Sequence, residues 1–129
     1  MKKKMGTFYA DCIVANHLTR HQKAEITHLL VDTGSEATWI NEETLRKIGV
    51  VPEKKGALFM MANGQVLSRD IGFAIVHVQD RFTVDEVVFA KEGDMQIIGA
   101  RTLEGLNLTV DARGKKLIAA GPHLAAAAA

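Results

Sequence analysis

The amino-acid sequence predicts a small all-β domain with about eight strands and two short helices. Stretches of alternating apolar and polar residues recur along the 129-residue chain, and a period of two is typical of half-buried strands. Turn-forming pairs such as Asn63-Gly64 and Arg113-Gly114 separate these stretches. Only two segments carry the start and stop signals of a helix. Small all-β chains with regular turns form sandwiches or partly closed barrels.

In the first half of the chain we predict strands over 7–16 and 24–32, joined by a polar hairpin connection. In the second of these strands, strict alternation would place Ile26 and Leu29 on opposite sides. A helix is predicted over 41–48, because Asn41 is a suitable N-cap and Gly49 a suitable stop. Phe8, Ala10, Cys12 and Val14 would share one side of the first strand.

In the second half, Asn63-Gly64 is the strongest hairpin signal in the chain. It predicts that Gly64 has a positive φ. The remaining elements are strands over 57–62, 65–79, 82–90 and 95–98, a turn over 91–94, a helix over 100–106, and a last hairpin of strands over 108–111 and 115–119.

The composition fits one folded domain. Hydrophobic residues make up 47% of the chain and charged residues 24%, which argues against a disordered chain. A net charge of +1 provides no electrostatic reason to expect a nucleic-acid or membrane partner. No stretch is apolar and long enough to span a bilayer. We therefore expect one domain over 1–124, and we interpret the alanines at 125–129 as a tag or an unassigned tail.

A carboxylate at the end of a buried apolar run is the most informative feature of the chain. Asp32 follows Leu29-Leu30-Val31 and precedes Thr33-Gly34-Ser35. Rigid folds often present functional groups on such strand-end loops, and Gly34 allows the sharp turn that such a loop needs. Thr33 and Ser35 would place hydroxyl groups beside the carboxylate. An ordinary surface turn explains this tetrapeptide equally well when it is taken alone.

A second motif favours the functional interpretation. Ile97-Ile98-Gly99 lies directly before the second predicted helix. Together with the Asp-Thr-Gly-Ser loop it resembles the retropepsin-like aspartic proteases, in which an apolar pair and a glycine pack beneath the catalytic loop. The order of loop, helix, flap hairpin, apolar-Gly motif and C-terminal helix covers residues 7–119. The resemblance implies a closed-barrel-like acid protease fold with one lobe per chain, and the activity of an aspartic endopeptidase.

The resemblance also implies the parts played by the residues of the loop. Asp32 would be the catalytic carboxylate, Thr33 would brace two such loops across a twofold axis, and the Gly34 carbonyl would accept a hydrogen bond from the substrate backbone. We expect the Ser35 hydroxyl to donate to the outer oxygen of Asp32, which would favour the ionised carboxylate. The implied substrate-binding residues are Glu36 and Trp39 near the loop, and Met61, Ala62, Asn63 and Gly64 in the flap.

One carboxylate per chain predicts a homodimer. The reaction needs two carboxylates that share one proton. Asp32 is the chain's only aspartate followed by Thr-Gly or Ser-Gly, so the second carboxylate would come from a second copy across a twofold axis. A polypeptide is the expected substrate, and no cofactor is expected.

Two departures from the family pattern leave an alternative open. Retroviral members carry an arginine directly after the apolar-Gly motif, whereas this chain has Ala100 there and Arg101 one place later. This departure calls an ion pair between Arg101 and Glu36 into question. Pepsins, which share the Ser35 and Trp39 spacing, use their tryptophan to support a flap tyrosine that this chain lacks. The alternative is a catalytically silent module of the same fold that dimerises or binds peptides.

Histidine and cysteine residues are the other candidates for a metal site or a disulfide. His17 and His21 stand four apart, but a metal site would need both on one helix, and their segment is predicted as a turn; we expect no metal. Cys12 is the only cysteine, so no disulfide can form within the chain. We predict a buried, inert thiol and, consistent with that, a cytoplasmic location.

Overall fold

The computed structural model describes residues 8–123, so the predicted strand start at Thr7 and the alanine tail at 125–129 lie outside the described residues. The described chain contains nine strands and two short helices. In chain order these are β1 Tyr9–Asn16, β2 Lys23–Val31, β3 Thr38–Asn41, α1 Glu42–Lys47, β4 Lys54–Met60, β5 Val66–Val78, β6 Arg81–Ala90, β7 Ile97–Ile98, α2 Ala100–Leu106, β8 Leu108–Asp111 and β9 Lys116–Ala119.

Seven of the strands form one sheet that curls into a barrel-like ring. Its order is β1-β2-β7-β3-β6-β5-β4, and β1 also pairs with β5, for example at Val14 opposite Val76. This extra pairing closes a ring of six strands, while β4 lies outside it as the first arm of a hairpin with β5. β8 and β9 form a separate two-stranded sheet. The architecture confirms the predicted all-β, barrel-like class with two short helices.

Two apolar clusters lie on different sides of the sheet. The larger one includes Val14, Leu29, Ile40 and Phe89 and packs against α1 and α2 through Leu45 and Leu103. The smaller one is centred on Trp39, Ile71, Val88 and Ala90, and Phe59 and Met61 of the β4–β5 hairpin pack against it. The second cluster therefore joins the hairpin to the body of the domain.

Local signals explain the ends of α1. The side chain of Asn41 accepts hydrogen bonds from the N–H groups of Glu43 and Thr44, as an N-cap does. Gly49 adopts φ +81° directly after the C-cap Ile48, a conformation that suits glycine at the end of a helix. The predicted helices are both confirmed, and α2 has the predicted bounds.

β3 was not predicted, because its four residues carry no alternation that distinguishes them from a loop. It pairs in parallel with β6, with Thr38 opposite Val87, and antiparallel with β7, with Trp39 opposite Ile97. Both partners are distant in the sequence, so the strand depends on tertiary pairing.

The predicted alternation in β2 is wrong. Ile26 and Leu29 are both buried in the larger core, although three positions separate them. The cause is a β-bulge: His28 adopts φ +69°, and its N–H donates to Asp11 Oδ1 at 3.1 Å. The extra residue reverses the phase of the strand, so that Leu29 and Val31 enter the core together.

The single cysteine lies where the sequence predicts. Cys12 is buried in the larger core. Burial, and then the charge of Asp11, raise the pKa of its thiol to about 12. The thiol therefore stays protonated and unreactive near neutral pH. Separately, at six and seven residues, neither helix of the described chain is long enough to cross a membrane.

Candidate active site

Asp32 lies where β2 ends, on a loop that hydrogen bonds fold back on itself. Its N–H donates to Ile98 O at 3.1 Å, and its carbonyl accepts from Ser35 N–H at 3.1 Å. The carboxylate Oδ1 accepts from Gly34 N–H at 2.9 Å. The Asp32 side chain is half-buried, whereas Thr33 and Gly34 are exposed. The loop thus presents one oriented carboxylate at the protein surface.

The apolar-Gly motif lies directly beneath this loop. A Cβ added at Gly99 would stand 2.3 Å from Ala37 O and 2.8 Å from Ser35 O, closer than non-bonded atoms can approach. The next residue, Ala100, donates its N–H to Ser35 O at 2.7 Å. Only glycine allows the start of α2 to come this close to the loop.

Glu36 and Arg101 make contact through the backbone rather than through the ion pair that the displaced arginine called into question. Arg101 donates its backbone N–H to Glu36 O at 3.1 Å. The side chains of Glu36 and Arg101 are not among the ion pairs of the described residues 8–123. The peptide backbone of α2, rather than a guanidinium group, therefore holds this part of the loop.

The expected hydrogen bond from Ser35 to Asp32 is wrong. The Ser35 hydroxyl donates to Ala37 O at 2.8 Å, and a hydroxyl has one proton to donate. In the described chain the carboxylate accepts instead from the backbone N–H of Gly34. Ser35 therefore shapes the loop and does not donate its proton to Asp32.

The predicted flap is the tip of the β4–β5 hairpin. Met61 N–H donates to Gln65 O at 2.8 Å, and Gly64 N–H donates to Met61 O at 2.9 Å. Gly64 has φ +86°, as predicted. Ala62, Asn63 and Gly64 are exposed, so the tip projects from the ring.

Trp39 connects the loop region with the flap. Its ring meets that of Phe59 edge to face, with centroids 5.1 Å apart. A cleft of about 520 Å³ lies between the Asp32 loop and β4, and a smaller one of about 260 Å³ lies on the β5 side of the hairpin. Trp39 lines both, with Glu36 in the first and Met61 and Asn63 in the second. The structure thus groups Trp39 with Glu36 at the larger cleft and with Met61 and Asn63 at the smaller one, whereas Ala62 and Gly64 line neither.

Sequence reasoning missed an ion pair that ties the flap to the body of the domain. Arg69 on β5 donates from Nε and Nη2 to the two carboxylate oxygens of Asp94, at 2.7 and 2.9 Å. Asp94 lies in the turn before β7 and also accepts from Lys91 N–H. The two side chains are 13% and 11% exposed. No local signal could have revealed a pair separated by 25 residues.

This ion pair predicts a pH-dependent contribution to stability. The hydrogen bond from Arg69 lowers the pKa of Asp94 and raises that of Arg69. We expect Asp94→Asn to reduce the free energy of unfolding by about 2 kcal/mol at pH 7. Because a lowered carboxyl pKa stabilises the fold above the ordinary value near 3.9, this difference should shrink as the pH falls below about 4.

Urea unfolding of the parent and Asp94→Asn at a series of pH values measures this difference. Glu86→Gln is the matched control, because Glu86 and Lys54 form an ion pair at 2.8 Å that is more exposed than the pair of Arg69 and Asp94 and should contribute about 1 kcal/mol or less. A difference for Asp94→Asn that stays constant from neutral to acid pH would contradict the assignment.

His17 and His28 pack against aromatic rings. His28 stacks on Tyr9, and His17 meets Phe73 edge to face. Over the part of the chain that the structure describes, no three His, Cys, Asp or Glu side chains are grouped to hold a metal ion.

The barrel-like ring, the Asp-Thr-Gly loop with an apolar-Gly motif beneath it and the hairpin above define a lobe of the aspartic protease type. The chain belongs to the family described as gag-polyprotein putative aspartyl protease, which matches residues 21–105. That range includes the loop, the flap and the apolar-Gly motif, and it agrees with the resemblance to retropepsin-like aspartic proteases. No curated protein matches the chain.

Proposed function

We propose that the chain is one half of an aspartic endopeptidase that acts as a homodimer. The observation that carries this proposal is the single Asp-Thr-Gly sequence in a chain of this family. The exposure of Thr33 and Gly34 beside Asp32 supports it, because a second loop can approach there. A twofold axis through this point sets Asp32 of one chain against Asp32 of the other.

The two carboxylates share one proton, because like charges at close range do not both ionise. The ionised Asp32 takes a proton from a water molecule as its oxygen attacks the peptide carbonyl, and the protonated Asp32 gives its proton to the carbonyl oxygen. When the tetrahedral intermediate collapses, the Asp32 that took the proton of the water gives it to the leaving nitrogen, and the other Asp32 takes back the proton of one hydroxyl, which restores the shared proton of the pair. The apparent pKa values belong to the pair rather than to either copy. In each chain Gly34 N–H orients the carboxylate.

The substrate is a polypeptide that lies extended between the loop and the flap. Extended peptides add to β-structure through backbone hydrogen bonds, and the exposed hairpin tip at Asn63-Gly64 is placed to close over one and exclude water. Trp39, Phe59 and Ile71 line the larger cleft, which favours apolar side chains near the scissile bond.

Dimerisation predicts how activity depends on concentration. We expect the activity per chain to rise with protein concentration and to level off where sedimentation shows the dimer. Adding an excess of the Asp32→Asn chain should lower the activity of the parent, because each mixed dimer has only one Asp32 carboxylate at the twofold axis. A strict monomer with full peptidase activity would overturn the homodimer. If the parent cleaves no peptide at any concentration, and the parent and the Asp32→Asn chain bind peptide with equal affinity, the silent binding module is favoured.

A further inference from the structure

Three side chains from three elements form a continuous hydrogen-bond chain beneath the catalytic loop. Gly99 N–H donates to Thr38 Oγ1 at 3.0 Å. The hydroxyls of Thr38 and Thr102 bond to each other. Thr102 Oγ1 in turn donates to Asp85 Oδ2 at 2.9 Å. Both threonine residues are fully buried, so the bonds of Thr38 with Gly99 and Thr102 are shielded from competing water, whereas Asp85 is half-buried.

The direction of each proton in this chain follows from what each group can donate. An ionised carboxylate only accepts, so the proton of Thr102 goes to Asp85. Thr38 must then donate to Thr102, and its oxygen remains free to accept from Gly99 N–H. The other oxygen of Asp85 accepts from Glu86 N–H at 2.7 Å. Every hydroxyl proton has one defined partner, and bonds in such a chain polarise one another.

One end of this hydrogen-bond network joins the two backbone segments that flank Asp32, and the other end is Asp85 on β6. Thr38 is the first residue of β3, directly after the catalytic loop. Gly99 follows Ile98, whose carbonyl accepts from Asp32 N–H. Gly99 lies so close to Ala37 that an added Cβ would be 2.3 Å from Ala37 O. A movement of Thr38 relative to Gly99 would therefore move the loop that carries Asp32.

We propose that Asp85, acting through Thr102 and Thr38, is a positioning residue for Asp32. This inference rests on the proposed peptidase function. Apolar side chains could fill the buried space without needing a carboxylate, whereas a fully satisfied polar network holds its members in one arrangement. Asp85, which lies on β6, thus fixes the position and orientation of the catalytic loop without touching the substrate.

Thr102→Val tests the inference, because it removes the hydroxyl and keeps the shape. We expect kcat to fall about 10-fold or more, with KM changed by about two-fold or less, because Thr102 does not line either cleft. Asp85→Ala should have the same effect. Asp85→Asn keeps one acceptor oxygen for Thr102 but loses the one that accepts from Glu86 N–H, so its kcat should fall less than that of Asp85→Ala. Thr109→Val, exposed on β8, is the matched control.

The measurement must separate positioning from stability. Active sites are titrated with a statine-type peptide inhibitor, and kcat per titrated site is measured well below the Tm of each variant. A structural role alone would lower the Tm and the number of active sites but leave kcat per site unchanged, and that result in both Thr102→Val and Asp85→Ala would overturn the proposal. Asp85→Ala keeps the test available if Thr102→Val does not fold.

A second readout keeps this inference distinct from the proposed function. If the parent cleaves no peptide, the proposed function has failed, and amide hydrogen exchange still tests the network. The N–H groups of Gly99 and Asp32 should exchange faster in Thr102→Val and Asp85→Ala than in the parent and in Thr109→Val. Unchanged exchange at both amides would overturn the positioning role.

Discussion

Asp32→Asn is expected to abolish peptide cleavage and leave the fold intact. An amide can neither accept the proton of the attacking water nor share a proton with a second carboxylate, so kcat/KM should fall by about 10³-fold or more. The fold should survive because the Oδ1 of the new amide can still accept the hydrogen bond from Gly34 N–H, which is 2.9 Å long in the parent.

Asp111→Asn provides the matched control for this prediction. Asp111 also accepts from the N–H of a glycine, Gly114, at 3.1 Å in the exposed turn between β8 and β9. The same chemical change there should leave both kcat/KM and the Tm close to those of the parent. Cleavage by Asp32→Asn within about ten-fold of the parent would place the catalytic carboxylate elsewhere.

Gly99→Ala is expected to cause the largest loss of stability of any substitution considered. The new Cβ would lie 2.3 Å from Ala37 O, 2.6 Å from Ala37 C and 2.8 Å from Ser35 O. All three are backbone atoms, so no side-chain rotation can relieve the contact. We expect a loss of about 3 kcal/mol in the free energy of unfolding, near the upper end for overpacking. The catalytic loop should also be displaced, because the clash is with its own backbone.

Gly64→Ala separates this steric effect from backbone strain. Gly64 has φ +86°, but nothing lies within 4 Å of an added Cβ, so the cost should be only the left-handed conformation, about 1 kcal/mol. Thermal unfolding of both variants should therefore show a much larger decrease in Tm for Gly99→Ala. Equal decreases would mean that α2 moves away from the loop without cost.

The sequence by itself determined the features that depend on neighbouring residues. The helix cap at Asn41 and the hairpin at Asn63-Gly64 follow from signals within a few positions. The alternating stretches and turn pairs predicted the all-β class, and the Asp-Thr-Gly-Ser loop and the apolar-Gly motif, as short patterns, predicted the family. These signals are local because they arise from backbone conformation and nearest hydrogen-bond partners.

Only the tertiary structure decided the features that depend on distant residues. β3 exists because it pairs with β6 and β7, and the bulge at His28 exists because Asp11 on the neighbouring strand accepts its N–H. The Ser35 hydroxyl donates to the Ala37 carbonyl within the loop rather than to Asp32. The Arg69–Asp94 pair and the Thr38, Thr102 and Asp85 chain join positions that are separated by 17 to 64 residues. A hydrogen bond depends on distance and direction in space, which a one-dimensional pattern does not contain until the ring of strands has closed.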